Sequence, residues 1–448
     1  MILRTTGALD HLQRLAVALG LLLAAQSMGA EVPTLPERPS SPELSQFLGA
    51  VNVATPGWQR YGLGWCRHDF SWAAIEPAND QFVWHRYDRI VLEVHQLGLE
   101  ILPVLGYTAP WAASIDGDGF SPPRNLADWE NFVDRVVARY SRSPFNLRYF
   151  QVWNEPTRAA GFWHGASDRQ FFETVYIPAA RIVQGYDCRV VLGGWPCSNP
   201  IEQLCELLDA TEAWRWTDIL DLHYTELSAW AVLHDRYLRT GRCRGIWQTE
   251  VGFHPFPGYL PNCYLRALHF GLRSGWQFPD QYKLFWYAFW GAGPDGPKCL
   301  TTTDAGGEVV ATEHGRRLEI LNGVLGGETL SAFTAFSTDP PLPPALDEEV
   351  PTALGFGCRD GRVVIALLID AQTRAHSPEI ALRVQLAAQP STVELVTSTG
   401  ERLPARFTWD PPLATTQVPI GSIPLELARN WGRRWEVALA YLVMSPAQ

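Results

Sequence analysis

The sequence predicts an α/β chain: a (β/α)8 barrel of the TIM type over residues 47–327, followed by a small C-terminal β-sandwich over residues 328–448. Three observations carry this prediction. Apolar, strand-like runs alternate with helical patterns eight times between residues 47 and 327, which suits a closed parallel barrel. After Gly327 the helical pattern gives way to period-two runs separated by turn residues. No glycine-rich phosphate turn follows an early run, although a doubly wound nucleotide-binding sheet would want one.

The elements follow in order. FLGAVNVA (47–54) supplies the first strand and LGWCRHDF (63–70) the second. Residues 84–97 form a helix that carries Ile90, Val91, Val94 and Leu97 on one face. EILPVLGY (100–107) is the third strand. A helix then runs from Leu126 to Tyr140, with Trp129, Phe132, Val133, Val136 and Val137 at helical spacing. RYFQVWNE (148–155) is the fourth strand, and the next helix carries Phe171, Phe172, Val175 and Ala179. RVVLGGW (189–195), DILDLHY (218–224), GIWQTE (245–250) and KLFWYAFW (283–290) complete the eight. In the tail, TALGFGC and RVVIALLID flank Arg359-Asp360-Gly361, a hairpin signal. EIALRVQL (379–386) alternates, STVELVTSTGERL turns at Thr399-Gly400, and RWEVALAYLVM (434–444) reads as a closing strand.

The N-terminus reads as an export signal, residues 1–30. Arg4 and Arg14 precede an apolar run from Leu15 to Ala25, too short for a relaxed membrane-spanning helix, and small residues follow at Ser27, Gly29 and Ala30. The expected location is secreted or periplasmic, with no membrane span in the mature chain. Residues 31–46, rich in Pro and Ser, read as a linker or extended arm. The net charge of −11 and scattered Lys and Arg argue against nucleic acid as a partner. The 8 cysteines contain no CxxC pair, so no structural zinc site is expected. Cys197 with Cys205 is the one disulfide the spacing suggests. The 19 tryptophans serve a large core or form flat platforms for sugar rings.

The candidate chemistry lies in FQVWNEPTRA (150–159). Its apolar run ends abruptly in Asn154-Glu155-Pro156, and carboxylates seldom end an apolar run without a purpose. Glu250 ends GIWQTE in the same way, three strands later. Strand C-termini form the active face of such barrels, so the two carboxylates share one end. A facing pair suits glycoside hydrolysis: one is protonated to assist the leaving oxygen, the other ionised to attack the anomeric carbon or activate water. Asn154 is then placed to hydrogen-bond a sugar 2-hydroxyl. A metal-dependent hydrolase would need clustered ligands, and His68, Asp69, Asp221 and His223 are not spaced as a ligand set.

WNEP after one strand and TE ending a later one resemble the retaining glycoside hydrolases of clan A. RHDFSWAAIEPANDQFVWHRYDRIV (67–91) and ILPVLGYTAPWA (101–112) are similar to family 39, whose members include β-xylosidases, α-L-iduronidases and exopolysaccharide endoglycosidases. The layout of barrel and sandwich resembles that family too. The resemblance implies that Glu155 is the general acid/base and Glu250 the nucleophile. It implies that Arg67 lies beneath the nucleophile, that Tyr224 after His223 hydrogen-bonds Glu250, and that Trp286 floors the cleaved sugar's subsite. Tyr107, Trp111, Trp163 and Trp195 would be further platforms. No cofactor or metal is implied, and the partner is a poly- or oligosaccharide. A non-catalytic barrel that binds polysaccharide would have lost one carboxylate, and this chain keeps both. Transglycosylation on the same site stays open, because acceptor choice lies in subsites the sequence does not reveal.

Overall fold

The computed structural model describes residues 43–52, 57–326, 330–430 and 432–447. The expected export signal, most of the expected linker and the expected boundary at 327/328 lie outside them. At its start the described chain departs from an extended arm. Leu44–Phe47 is a helical turn whose Leu44 and Phe47 are buried, so these residues belong to the barrel core.

Eight parallel strands close the barrel: β1 Leu48–Val51, β2 Trp65–Ser71, β3 Glu100–Gly106, β4 Tyr149–Val152, β5 Arg189–Leu192, β6 Ile219–His223, β7 Gly245–Gly252 and β8 Tyr282–Tyr287. Each pairs with its sequence neighbour, and β1 closes on β8 through Gly49 opposite Phe285. Helices cover the outside. His85–Gln96 and Leu126–Tyr140 turn Val91 and Val94, and Phe132, Val133, Val136 and Val137, onto the strands, as their spacing predicts. Asn125 caps the second helix by accepting from the Ala127 N–H.

The barrel interior is layered. Trp65, Leu102, Val191, Ile219, Trp247 and Phe285 fill its lower end. The Lys283 ammonium lies 4.2 Å from the Trp65 ring centre and donates to the Pro279 carbonyl. Above that layer the interior turns polar. Gln151 on β4 accepts from Arg67 on β2 at 2.8 Å and donates to Asp221 on β6 at 2.7 Å. Asp221 also accepts from the Thr249 hydroxyl on β7 at 2.6 Å. Buried charges persist where each is matched and hydrogen-bonded, and this layer meets that condition. It is the platform on which the strand ends are built.

The tail forms two antiparallel sheets. The hairpin of Thr352–Cys358 and Val363–Asp370 forms as expected, as does the pairing of Thr392–Thr397 with Arg402–Pro404. Arg433–Ser445 is a central strand rather than a closing edge, pairing on either side with Val363–Asp370 and Thr392–Thr397. Alternation divides the work of the larger sheet. Val364, Ala366 and Leu368 join the barrel core, while Ile365, Leu367 and Ile369 pack toward the four-stranded sheet. Barrel and sandwich therefore share one hydrophobic cluster within a single compact unit. Polar contacts reinforce the seam: buried Arg317 donates to Glu426 at 2.9 Å, and Asn262 donates to the Glu348 carbonyl at 2.8 Å.

All 8 cysteines lie among the described residues, and no disulfide forms between them. Cys205 is buried on the helix Ile201–Thr211, whereas Cys197 lines a cavity before that helix begins, so the suggested bridge does not form. Among the described residues, no helix is long and apolar enough to cross a membrane.

Candidate active site

A cavity of about 650 Å³ opens at the C-terminal ends of the barrel strands. Arg67, Asn154, Glu155, Tyr224 and Glu250 line it, as do Tyr107 and Tyr287. Sequence positions far apart converge here because parallel strands deliver all their C-termini to one face.

The turn after β4 explains its motif. Val152 is buried, and the backbone then turns through left-handed conformations at Trp153 (φ 70°) and Glu155 (φ 45°). Side chains other than glycine adopt these only when surrounding contacts compel it. Trp153 supplies one: it is buried against Trp163 and Phe171, and its indole N–H donates to the Phe162 carbonyl at 2.8 Å. Asn154 supplies another by accepting from Arg67 Nη2 at 2.6 Å. Glu155 is thereby turned into the cavity.

Glu250 is placed by a different device. The register of β7 against both neighbours shifts around Gln248–Val251. Irregularities of this kind re-aim side chains near functional sites. Here Thr249 reaches the polar layer beneath while Glu250 lines the cavity. Glu250 Oε1 accepts from Arg67 Nη1 at 2.6 Å, and Oε2 accepts from the Tyr224 hydroxyl at 3.0 Å. Tyr224 too holds a left-handed backbone, φ 52°. Burial, then the Glu250 charge, push its phenol well above the ordinary range, so it stays protonated and donates.

Arg67 makes three side-chain bonds, to Gln151, Asn154 and Glu250, and is 2% exposed. Burial opposes its charge, but Glu250, Asp69 and Asp221 outweigh that and raise its pKa. His223 links the two carboxylates. Its Nδ1 lies 3.2 Å from Glu155 Oε1 and 3.8 Å from Glu250 Oε2, while Nε2 is 2.9 Å from the Thr249 hydroxyl. Burial alone would discharge the ring. The Glu250 charge, with hydrogen bonds to Asp221 and Glu155, prevails and lifts its pKa to about 9. His223 is therefore an imidazolium at neutral pH. One donor atom each from Glu155, His223 and Glu250 lies within 4.8 Å of the others. A charged imidazolium donates rather than ligates, and Arg67 already occupies Glu250, so this trio suits proton sharing better than cation binding.

The tryptophans expected as platforms fall elsewhere. Trp286 is fully buried on the outer face of β8 against His314 and His254, and its N–H donates to the Lys298 carbonyl at 3.0 Å. It cannot floor the cavity. Trp163 donates to Ser167 at 2.9 Å, Trp195 to Pro200 at 3.2 Å and Trp111 to Glu76 at 2.8 Å, all to carbonyls. Each indole has satisfied its one donor inside the protein, the usual condition for a buried tryptophan. Of the expected platforms only Tyr107 lines the cavity, wedged between Phe120 and Trp153. The aromatic wall is completed by Phe162, Phe253 and Tyr287. Tyr287 follows Trp286 directly, and alternation along β8 marks it as the inward residue. Asp69, weighed in the sequence only as a metal ligand, also reaches the cavity, as do Arg429 and Asn430 from the sandwich, which the sequence did not single out.

No family model matches the chain. A β-xylosidase of Caldicellulosiruptor saccharolyticus is 27% identical over 78 residues, a match spanning 16% of this chain and 16% of that protein. Solved structures resemble it far more extensively. A family 39 glycoside hydrolase from the gut symbiont Bacteroides cellulosilyticus WH2 superposes with a TM-score of 0.61 at 16% identity, covering 90% of this chain and 81% of that one. A family 30 subfamily 8 xylanase from Clostridium acetobutylicum gives 0.57 at 12% identity, covering 89% and 96%. A glucosidase from Croceicoccus marinus gives 0.55 at 14% identity, covering 92% and 98%. At such identities the likeness is one of fold, and it extends through barrel and sandwich together.

Proposed function

We propose that this chain, which shares its fold with those glycoside hydrolases, is itself a retaining glycoside hydrolase acting on a poly- or oligosaccharide. The observation that carries the reading is the convergence of Glu155 and Glu250, whose oxygens come within 4.8 Å of each other at the ends of β4 and β7. Retaining enzymes hold their carboxyl groups about 5–5.5 Å apart, whereas inverting enzymes need roughly 6.5–9.5 Å to admit a water.

Glu250 is the nucleophile. Arg67 and Tyr224 donate to its two oxygens, which fixes the carboxylate beneath the anomeric carbon. Glu155 is the acid/base. It shares a hydrogen bond with His223, and that pair holds a proton at neutral pH. In the first step the proton that His223 and Glu155 share passes through Glu155 to the leaving oxygen as Glu250 forms the glycosyl ester, which leaves the imidazole neutral. In the second, Glu155 takes a proton from water, which attacks the same carbon and frees Glu250. Asn154, held by Arg67, is placed for the sugar 2-hydroxyl. Tyr107 and Tyr287 offer the flat surfaces for the ring. Export to the periplasm or the medium is part of this reading and rests on residues 1–30 of the sequence.

The test is a 2-fluoro aryl glycoside, which traps a glycosyl–enzyme. Mass spectrometry of wild type is expected to place the adduct on the peptide carrying Glu250, with none in Glu250→Gln. Product of inverted configuration, read by proton NMR, would overturn the retaining assignment.

A further inference from the structure

The cavity is not built by the barrel alone. Arg429 and Asn430, on the sandwich strand Leu425–Asn430, line it together with the two carboxylates. Their position is well fixed. Glu426, on the same strand, is held by Arg317 and by the Ser398 hydroxyl at 3.0 Å. Asn430 donates to Glu348 at 3.0 Å. Arg429 sits between these two anchors, so its backbone is set before any ligand arrives.

Its charge stands apart from the neighbouring arginines. Arg317 is paired with Glu426, Arg433 with Glu226 and Glu349, and among the described residues no ion pair involves Arg429. Arg434, opposite Arg429 in the hairpin, lies over the Phe256 ring and outside the cavity lining. Beside Arg429 on the cavity wall is His254, 9% exposed, whose ring nitrogens are enclosed by the protein. Burial, then His314 and Arg429, lower the His254 pKa to about 3, which leaves a neutral ring and makes Arg429 the charge on this part of the wall.

We infer that Arg429 binds an anionic substituent of the saccharide, a carboxylate or a sulfate ester, and makes the sandwich part of the substrate site. This inference rests on the glycosidase reading above. A guanidinium is suited to it, because its planar fork matches either oxyanion with two parallel hydrogen bonds. The catalytic carboxylates do not oppose it, since Arg67 and His223 already balance them.

The experiment uses the full protein and hexasaccharides of gluco, galacto and manno type, α- and β-linked. Each is offered neutral, oxidised at C6 to the uronate, or sulfated at C6. Cleavage is followed by mass spectrometry, and binding to Glu250→Gln by calorimetry. An acidic form is expected to exceed its neutral counterpart in kcat/KM by at least about tenfold, in line with a charge-assisted contact. The uronate and sulfate arms identify the anion. Arg429→Ala is expected to collapse that ratio toward one and Arg429→Glu to invert it, while Arg434→Ala keeps it. Cleavage of neutral and acidic forms at equal rates, or a preference that survives Arg429→Ala, would overturn the inference and leave the glycosidase reading standing. Neither cleavage nor binding of any member would overturn both.

Discussion

His223 ties the stability of the fold to the charge state of the site, and replacing it with asparagine measures the connection. The ring has no exposed surface. Its pKa rises from 6.5 in the unfolded chain to about 9 in the fold, because Glu250, Asp221 and Glu155 together outweigh burial. At about 1.4 kcal/mol per pKa unit, tighter proton binding by the folded state is worth about 3 kcal/mol. A raised folded pKa stabilises fully below the unfolded value. The contribution is therefore complete below pH 6.5 and is lost as pH climbs through about 9. Urea unfolding of wild type and His223→Asn at about pH 6, 7.5 and 9.5 reads this directly. Wild type is expected to lose about 3 kcal/mol more than the variant across that range, mostly over its middle. Labelled-histidine NMR should show one imidazole titrating near pH 9 that the variant lacks. Parallel stability curves for the two proteins, or a buried imidazole titrating at 6.5, would refute the claim that the carboxylates hold His223 charged.

Two further outcomes separate the catalytic from the structural residues. Glu155→Ala is expected to slow glycosides with poor leaving groups by about two to four orders of magnitude, the usual worth of general acid catalysis. Azide should restore turnover of an activated aryl glycoside, and product carrying azide at the anomeric carbon is the measurement. Trp286→Ala is expected to cost about 3–5 kcal/mol of stability through the cavity it leaves in a closed core. Tyr287→Ala should instead raise KM on a fold that melts near wild type; thermal melts beside steady-state kinetics distinguish the two, and the reverse pattern would show that β8 faces the other way.

How far the sequence reaches is clearest where it succeeded and failed on neighbouring residues. The strands, the helix from Leu126 to Tyr140 and the convergence of Glu155 with Glu250 follow from it. Periodicity is local, and a parallel barrel sends every strand end to one face regardless of separation in the chain. A carboxylate closing an apolar run therefore announces itself. The aromatic wall was another matter. KLFWYAFW reads as a continuous apolar run, since a barrel strand is buried on both faces, and such a run does not say which side points inward. Only the register of β8 against β1 and β7 assigned Tyr287 to the cavity and Trp286 to the helical layer. Trp163 and Trp195 were lost to the core for a related reason: whether an indole finds a carbonyl for its N–H depends on a partner that folding brings near. The sandwich's approach to the cavity was invisible altogether. Arg429 is one arginine among many in the sequence, and it lies 179 residues from Glu250 (429 − 250). Residue chemistry and periodicity are properties of the chain and can be read along it. Which face of a doubly buried strand looks inward, and which distant charge stays unpaired beside it, depend on packing between elements, and only the tertiary structure decides them.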